Sequence, residues 1–368
     1  MKKLLRKQYS PDAIFDASAL TLTTESIKDV GEIVFTEKFI SPAITDFCET
    51  ENGIVHDKQI VIGGNFDGLA GSVRSDCDNT PNPGTIRNSQ KTWAPKYISD
   101  RFEECYANLQ SSFWKYMLAK GLKKEDLTQS VYDAYITDRL KSYMSDDMMM
   151  RLMFFTNTAI TSGTTNNISA GNLKYFNMIS GVFTQADDIV TAVPARGVTI
   201  GVENTNTTKE TQVFAAASPT VHPATDYLKQ VYFGASIELR SQPDAIILCT
   251  QSVADQYIQE REAASSIPQA YERTENGMKQ LFYQGVPVIP IPTWDRLIQR
   301  HFDNGTVWLK PHRILMTAKH NIRVGTEETS NFKELASEYN SYHKKWFCDF
   351  GFNFDVKILD NNLIQYAS

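Results

Sequence analysis

The sequence predicts an α+β chain, large enough at 368 residues for one big domain or two of ordinary size. Three observations carry this. Trp346, Cys348, Phe350, Phe352, Phe354 and Val356 alternate with Phe347, Asp349, Gly351, Asn353 and Asp355 in the strict period of two of a half-buried strand. Val131, Tyr135, Ile136, Leu140, Tyr143, Met144, Met148, Leu152 and Phe155 instead recur every three to four residues, as one stripe of a long helix does. Asp244-Ala245-Ile246-Ile247-Leu248-Cys249 is a short apolar run suited to a fully buried strand.

Taken in chain order, residues 1–50 hold little that could form a core of its own. Thr24-Glu25-Ser26 suits a helix cap and Glu32-Ile33-Val34-Phe35 looks extended, so this part reads as an arm that packs on something else. Residues 54–62 read as one strand and 86–97 as a second. The Gly, Asn, Asp, Ser and Pro between 63 and 85 are loop chemistry. A two-stranded ribbon of this kind is marginal alone in water and needs another surface.

A helical reading begins near Asp100, with Phe102, Tyr106, Leu109, Phe113, Met117 and Leu118 at helical spacing. A stronger helix runs from about Lys124 to Asn157; at 1.5 Å per residue a 30-residue helix spans about 45 Å. Its Met148-Met149-Met150 cluster suits adaptable core packing better than a metal. Thr161 to Asn167 reads as a hinge, followed by strand and loop signals to about residue 218. Helices are predicted at Pro223 to Leu239, with proline in the first turn, at Ser252 to Ala264 and at Trp294 to Phe302. Strands are expected at Thr306 to Leu309, Arg313 to Thr317 and Ile322 to Gly325.

Tyr283 to Asp295, Y-Q-G-V-P-V-I-P-I-P-T-W-D, mixes β-favouring Val286, Val288, Ile289 and Ile291 with Pro287, Pro290 and Pro292. Proline donates no ladder hydrogen bond, which predicts a strand at a sheet edge or one that leaves the sheet partway. Gly285 permits a tight turn before it.

The balance of 37 basic and 43 acidic side chains, a formal charge of −6, argues against a surface devoted to coating nucleic acid. Lys2, Lys3, Arg6 and Lys7 form a local exception and read first as a solvated tail. Cys48, Cys77, Cys105, Cys249 and Cys348 are odd in number and scattered, without a CxxC pair, so reduced thiols are expected. No run of apolar residues is long enough to cross a membrane as a helix. The chain carries no P-loop, GxGxxG after a strand, HExxH or GxSxG. His312 and His320 could share a metal on neighbouring strands, but no third ligand stands at a helpful spacing. Asp146-Asp147 and Asp187-Asp188 read as cap or turn acids. No catalytic residue, metal or cofactor is expected.

The order of elements resembles the tailed-bacteriophage major capsid protein, the Hong Kong 97-type fold. An arm, a long ribbon, a long helix and a hinge lead to an apolar strand and helix at 245–264. An aromatic–x–G–x–P–V–x–x–P segment follows, matched by Tyr283, Gly285, Pro287, Val288 and Pro290. A strand pair at 313–325 and Asn331-Phe332 then precede the aromatic strand 346–356. The resemblance spans about residues 20–360 by element order and is residue-specific over about 244–356.

It implies an N-terminal arm (1–50), an extended β-hairpin loop (51–98), a peripheral domain (99–165 and 313–350) with a spine helix, and an axial domain (166–312 and 351–368). It implies a major capsid protein of the phage virion that self-assembles, in the host cytoplasm, through hexameric and pentameric capsomers into an icosahedral shell around the genome. Separate scaffolding, portal and decoration proteins would be partners, and packaged DNA would be touched only non-specifically, without a membrane. Intersubunit contacts would fall on Lys58, Ile60, Ile62, Lys91 and Trp93 in the loop and on Tyr283, Pro287, Pro290 and Trp294. The prolines would block edge-to-edge pairing where subunits converge. The stretch before the arm is too short for the scaffolding segment some relatives remove. Some relatives also join a loop lysine to an asparagine. No acceptor asparagine aligns for Lys58 or Lys91, so no covalent cross-link is expected. An encapsulin-like nanocompartment shell, another virion structural protein and a cytosolic enzyme without a known motif are the competing readings.

Overall fold

The structure is a computed structural model that describes residues 47–62, 66–67, 85–86, 89–105, 113, 115–121, 134–136, 138, 146–160, 168, 171–218, 220–264, 271–273, 279–327, 336–340, 342–343 and 345–368. The arm to residue 46, most of the ribbon tip, the first part of the spine helix, Leu140, the hinge 161–167 and Asn331-Phe332 lie outside them. The chain divides into two compact units, residues 1–41, 97–145 and 327–353, and residues 42–96, 146–326 and 354–368.

The second unit is built on a seven-stranded sheet. Its strands are β7 (Gly197–Val198), β8 (Ala245–Cys249), β9 (Tyr271–Arg273), β10 (Lys279–Tyr283), β11 (Val286–Pro290), β12 (Ile314–Ala318) and β16 (Ile364–Ala367), in the order β7-β16-β12-β8-β11-β10-β9. The apolar run of β8 is buried at every position, between antiparallel β12 and parallel β11. Apolar side chains on both faces are what a central strand covered on both sides requires.

One face carries Ala245, Ile247, Cys249, Ile314 and Met316. It packs under Leu228 and Val231 of the helix Pro223–Gly234 and under Val253 and Tyr257 of the helix Gln251–Ala264. Consecutive side chains of a strand point to opposite faces. Ala367 therefore joins this core while Tyr366 stacks on Phe183, ring centroids 5.6 Å apart, in a second, aromatic core. There Trp294 is edge-on to Phe154 at 4.8 Å and to Phe183 at 4.7 Å, and Phe155 meets Phe302 at 5.4 Å.

Several expectations are corrected. The strand expected from residue 54 begins at β2 (Lys58–Ile62), because Gly53 turns the chain with φ +81° and buried Ile54 instead donates its N–H to Thr326 O at 2.9 Å. A strand at Glu49–Glu51 (β1) precedes it. The stretch Val182–Ala192, read as strand and loop, is a helix that buries Val182, Phe183, Ala186 and Ile189 on one face. The helix from Pro223 ends at Gly234. Ser236, extended at φ −60° and ψ 156°, then caps a new turn, Ile237–Arg240, by accepting the Leu239 N–H at 3.1 Å. The strand expected at 306–309 is a turn, with Asn304 Oδ1 accepting the N–H groups of Thr306 and Val307. Within the span read as the end of the spine helix, the described residues form an α-helical stretch Asp146–Met150 followed by a π-helix Arg151–Phe155. That wider turn buries Leu152, Met153, Phe154 and Phe155 in succession, which an α-helix with one apolar stripe does not.

The predicted aromatic strand is β15 (Lys345–Ile358). Its final residues 354–358 pair with β13 (Ile322–Thr326), which takes β1 in parallel on its other side. In the first unit, residues 345–349 pair with β14 (Ala336–Asn340), and β6 (Lys96–Cys105) pairs with β15 as well. The helix read from Asp100 therefore gives way to strand as far as Cys105. Pairing with β15 overrides a helical spacing whose first member, Phe102, lies in the strand. Arg101 bridges to Asp349 (Nη2 to Oδ2, 2.7 Å), and helical residues carry Phe113 against Tyr135 at 5.1 Å.

Candidate assembly surfaces

The ribbon and the proline-rich segment are the two features that the sequence singles out for contacts with other chains. In the ribbon, β2 pairs antiparallel with β5 (Ser89–Trp93), from Lys58↔Trp93 to Ile62↔Ser89, and Phe66–Asp67 pairs with Thr85–Ile86 further out. Lys58 is exposed and ion-paired to Glu51 at 3.0 Å, and Ile60 is half-buried. The backbone of Ile62 pairs with Ser89.

The root of the ribbon is tied to its own unit. Trp93 is fully buried, its ring lying over Gly325, where a Cβ would come within 2.8 Å of Cζ3. Ala94 N–H donates to Asp355 Oδ2 at 2.8 Å. The Lys91 ammonium donates to the Ile358 carbonyl and, at 2.8 Å, to Asn361 Oδ1. Burial pushes the Lys91 pKa down, Lys357 adds to this, and Asp360 opposes it. Asp355 is 2 % exposed, although its place in the alternation puts it on the polar side of β15; it also accepts from Val356 N and pairs with Lys357 at 3.3 Å.

The proline-rich segment is not at an edge: β11 lies between β8 and β10. Gln284 and Gly285, at φ +50° and +79°, form the two-residue hairpin turn into it. Its prolines are accommodated by register. Ile291 N–H donates to Cys249 O at 2.9 Å, and donor directions alternate along a strand. Residues 287, 289 and 291 thus aim at β8, and 286, 288 and 290 at β10. Pairing with β8 starts at Val288↔Ile247, one residue after Pro287, and pairing with β10 stops at Leu281↔Val288, two residues before Pro290. Each missing donor falls where the neighbouring strand is not paired. A cleft of about 570 Å³ lies beside this end of the pair, lined by Gln280, Leu281, Pro287, Ile289, Pro290 and Lys319, among others.

Of the remaining expected contact residues, Tyr283 is buried against Tyr232 and Tyr257, and Trp294 is fully enclosed by the aromatic core. With Trp93, these three side chains are spent inside their own chain. Lys58, Ile60, Pro287 and Pro290 keep exposed or half-exposed surface. Large apolar side chains that sequence reading did not single out stand exposed at Val202, Phe233 and Ile237 in the second unit and at Tyr342 in the first.

The polar interior is structural in its geometry. His312 Nε2 faces the Gln212 carbonyl at 3.2 Å and so carries the proton, leaving Nδ1 to accept from the Ser252 hydroxyl at 2.8 Å. Burial pushes the His312 pKa down to about 4, against the Gln212 hydrogen bond and the charge of Glu203. A serine on a neutral histidine occurs in nucleophilic sites. Here, however, Asp295 already occupies the adjacent helix start, accepting Gln251 N–H at 2.7 Å, and the shared cavity of about 50 Å³ has room for little more than water. Burial raises the Asp295 pKa against those donors. His320 bonds Asp244 at 2.6 Å and does not share a partner with His312. Among the described residues, no three His, Cys, Asp or Glu side chains are grouped to hold a metal, and no helix is long and apolar enough to cross a membrane.

No family model and no curated protein matches the chain. Solved structures do. A chain of the satellite phage P4 procapsid, a structure that includes the size determination protein Sid, shares 12 % identity over 94 % of this chain and 99 % of that one, with a TM-score of 0.50. A chain from Gordonia phage Cozz shares 10 % over 87 % and 84 %, TM-score 0.48. The capsid of a native GTA particle shares 8 % over 89 % of each chain, TM-score 0.47. At 12 % identity what the P4 procapsid match shows is the fold, and it is the Hong Kong 97-type capsid fold.

Proposed function

We propose that a chain with this fold is a capsid shell protein, and specifically the major capsid protein of a tailed phage, assembling through hexameric and pentameric capsomers into an icosahedral shell around the genome. The observation that carries this reading is the fold match over nearly the full length of both this chain and a chain of the P4 procapsid structure. A two-stranded ribbon without a core of its own supports it, since such an element gains stability from a surface it can lie on. In this reading residues 51–98 lie over an adjacent subunit, with Lys58, Ile60 and Ile62 among the contacts. Residues 166–312 and 351–368 form the axial domain, and the cleft beside Pro287 and Pro290 faces a capsomer neighbour. Residues 99–165 and 313–350 form the peripheral domain. Assembly energy comes from many modest interfaces repeated by symmetry.

The test is electron microscopy of the overexpressed full chain. Closed shells, tubes or capsomer rings are expected. A monodisperse monomer at every concentration and salt condition would overturn the reading, and particles filled with a co-purifying enzyme would replace it by a nanocompartment shell.

A further inference from the structure

We propose that the ribbon is a strap held on its own subunit by a latch at its root, and that opening the latch lets the strap swing while the domain beneath stays folded. The latch has an apolar and a polar half. Trp93 seats on the bare backbone of Gly325, a contact that only glycine leaves room for, with the Cβ position 2.8 Å from the ring. Beside it, buried Asp355 accepts Ala94 N–H, and the Lys91 ammonium holds the Ile358 carbonyl and Asn361. These contacts come from Lys91, Trp93 and Ala94, at the end of one strand and its exit. Gln90 and Thr92 on the same strand face solvent; across the hairpin Gln59 does too, Ile60 is half-buried, and Lys58 makes only an exposed ion pair with Glu51 among the described residues.

Both connections are built as pivots. Gly53, in the left-handed region, carries the chain in, and Pro95, which has no N–H to anchor, carries it out directly after the latched Ala94. Gly325 is tied on both sides without the ribbon, pairing with Glu51 in β1 and with Asp355 in β15, so the seat persists when Trp93 leaves it. In a shell protein the strap's direction decides which neighbour it reaches. That consequence rests on the proposed function, whereas the latch does not.

Hydrogen–deuterium exchange of the unassembled full chain tests it. Asp355→Asn weakens the polar half without changing shape, Gly325→Ala pushes Trp93 off its seat, and Lys91→Met removes the ammonium while keeping the stem. Loss of a charge-assisted hydrogen bond raises local opening by about tenfold or more. Ribbon amides, residues 58–62 and 89–94, are therefore expected to exchange about tenfold faster in each variant, while β8 exchanges as before. Unchanged ribbon exchange in Asp355→Asn and Lys91→Met would overturn the latch. So would loosening of β8 in step with the ribbon, including outright misfolding of these two variants, because the root would then be part of the core. Particle formation is scored separately by microscopy, so a shell reading that fails leaves this result standing.

Discussion

His312 should make this chain less stable as pH falls. Its ring is buried among the Ser252 hydroxyl, the Gln212 carbonyl and the Phe214 ring at 4.3 Å, with Asp295 lining the same small cavity and Glu203 as the acidic group acting on it. In the fold its pKa is pushed down to about 4, whereas an unfolded histidine titrates near 6.5. Between those values the unfolded chain binds more protons, so stability falls as pH falls. The contribution is fully present above about pH 6.5, declines by about 1.4 kcal/mol per pH unit, and is lost by about pH 4, about 3 kcal/mol in all. Urea denaturation of the unassembled protein, followed by far-UV circular dichroism across that window, measures it. Comparison with His312→Gln cancels other groups, such as Asp303, whose pKa is held low by its hydrogen bond from Lys209. The expected result is a wild-type curve steeper than that of the variant by about 1.4 kcal/mol per pH unit. Parallel curves, or a wild type that gains on the variant as pH falls, would refute the reasoning.

Glu260 is 1 % exposed and caps the helix Pro223–Gly234 from a different helix, accepting Ala224 N–H at 2.8 Å and Thr225 N–H at 2.7 Å. Glu260→Ala strands both donors and should cost about 2–4 kcal/mol in urea denaturation; a loss below about 0.5 kcal/mol would show that water replaces the cap. Leu152→Asp buries an unpaired charge at a fully enclosed position and should abolish soluble expression, so a soluble, cooperatively melting variant would contradict the packing of the π-helical turn. Deleting residues 64–85 should leave the thermal melt of the unassembled chain in place while impairing particle formation. A melt lowered by many degrees would mean that the ribbon belongs to the core.

The elements that could be read from sequence were those whose pattern and partner agree. Ala245–Cys249 is apolar throughout and is buried throughout; Phe352, Phe354 and Val356 alternate and are buried on schedule. The helix Val182–Ala192 carried a legible signal in Val182, Phe183, Ala186 and Ile189, obscured by its β-branched residues. Of the expected contact residues, the aromatic ones went inside. Large apolar surface is as valuable to a core as to an interface, and sequence alone does not distinguish the two uses of Trp93, Tyr283 or Trp294.

Composition and period by themselves determined an α+β chain, the buried strand with its following helix, the long alternating strand, and the absence of a recognised catalytic motif. These depend on residues near one another in sequence, where 2.0 and 3.6 periodicities leave their mark. Only the tertiary structure decided where the prolines fit, which carboxylates cap which helices and what holds the ribbon. Pro287 and Pro290 suggested a strand at an edge or one that leaves the sheet partway; β11 is internal but stops pairing with β10 before Pro290, and the register with β8 and β10 leaves both missing donors unneeded. Glu260 caps a helix 36 residues away, and Asp355 holds an amide 261 residues away. Such hydrogen bonds depend on which segments meet in space, and local spacing along the chain carries no record of that.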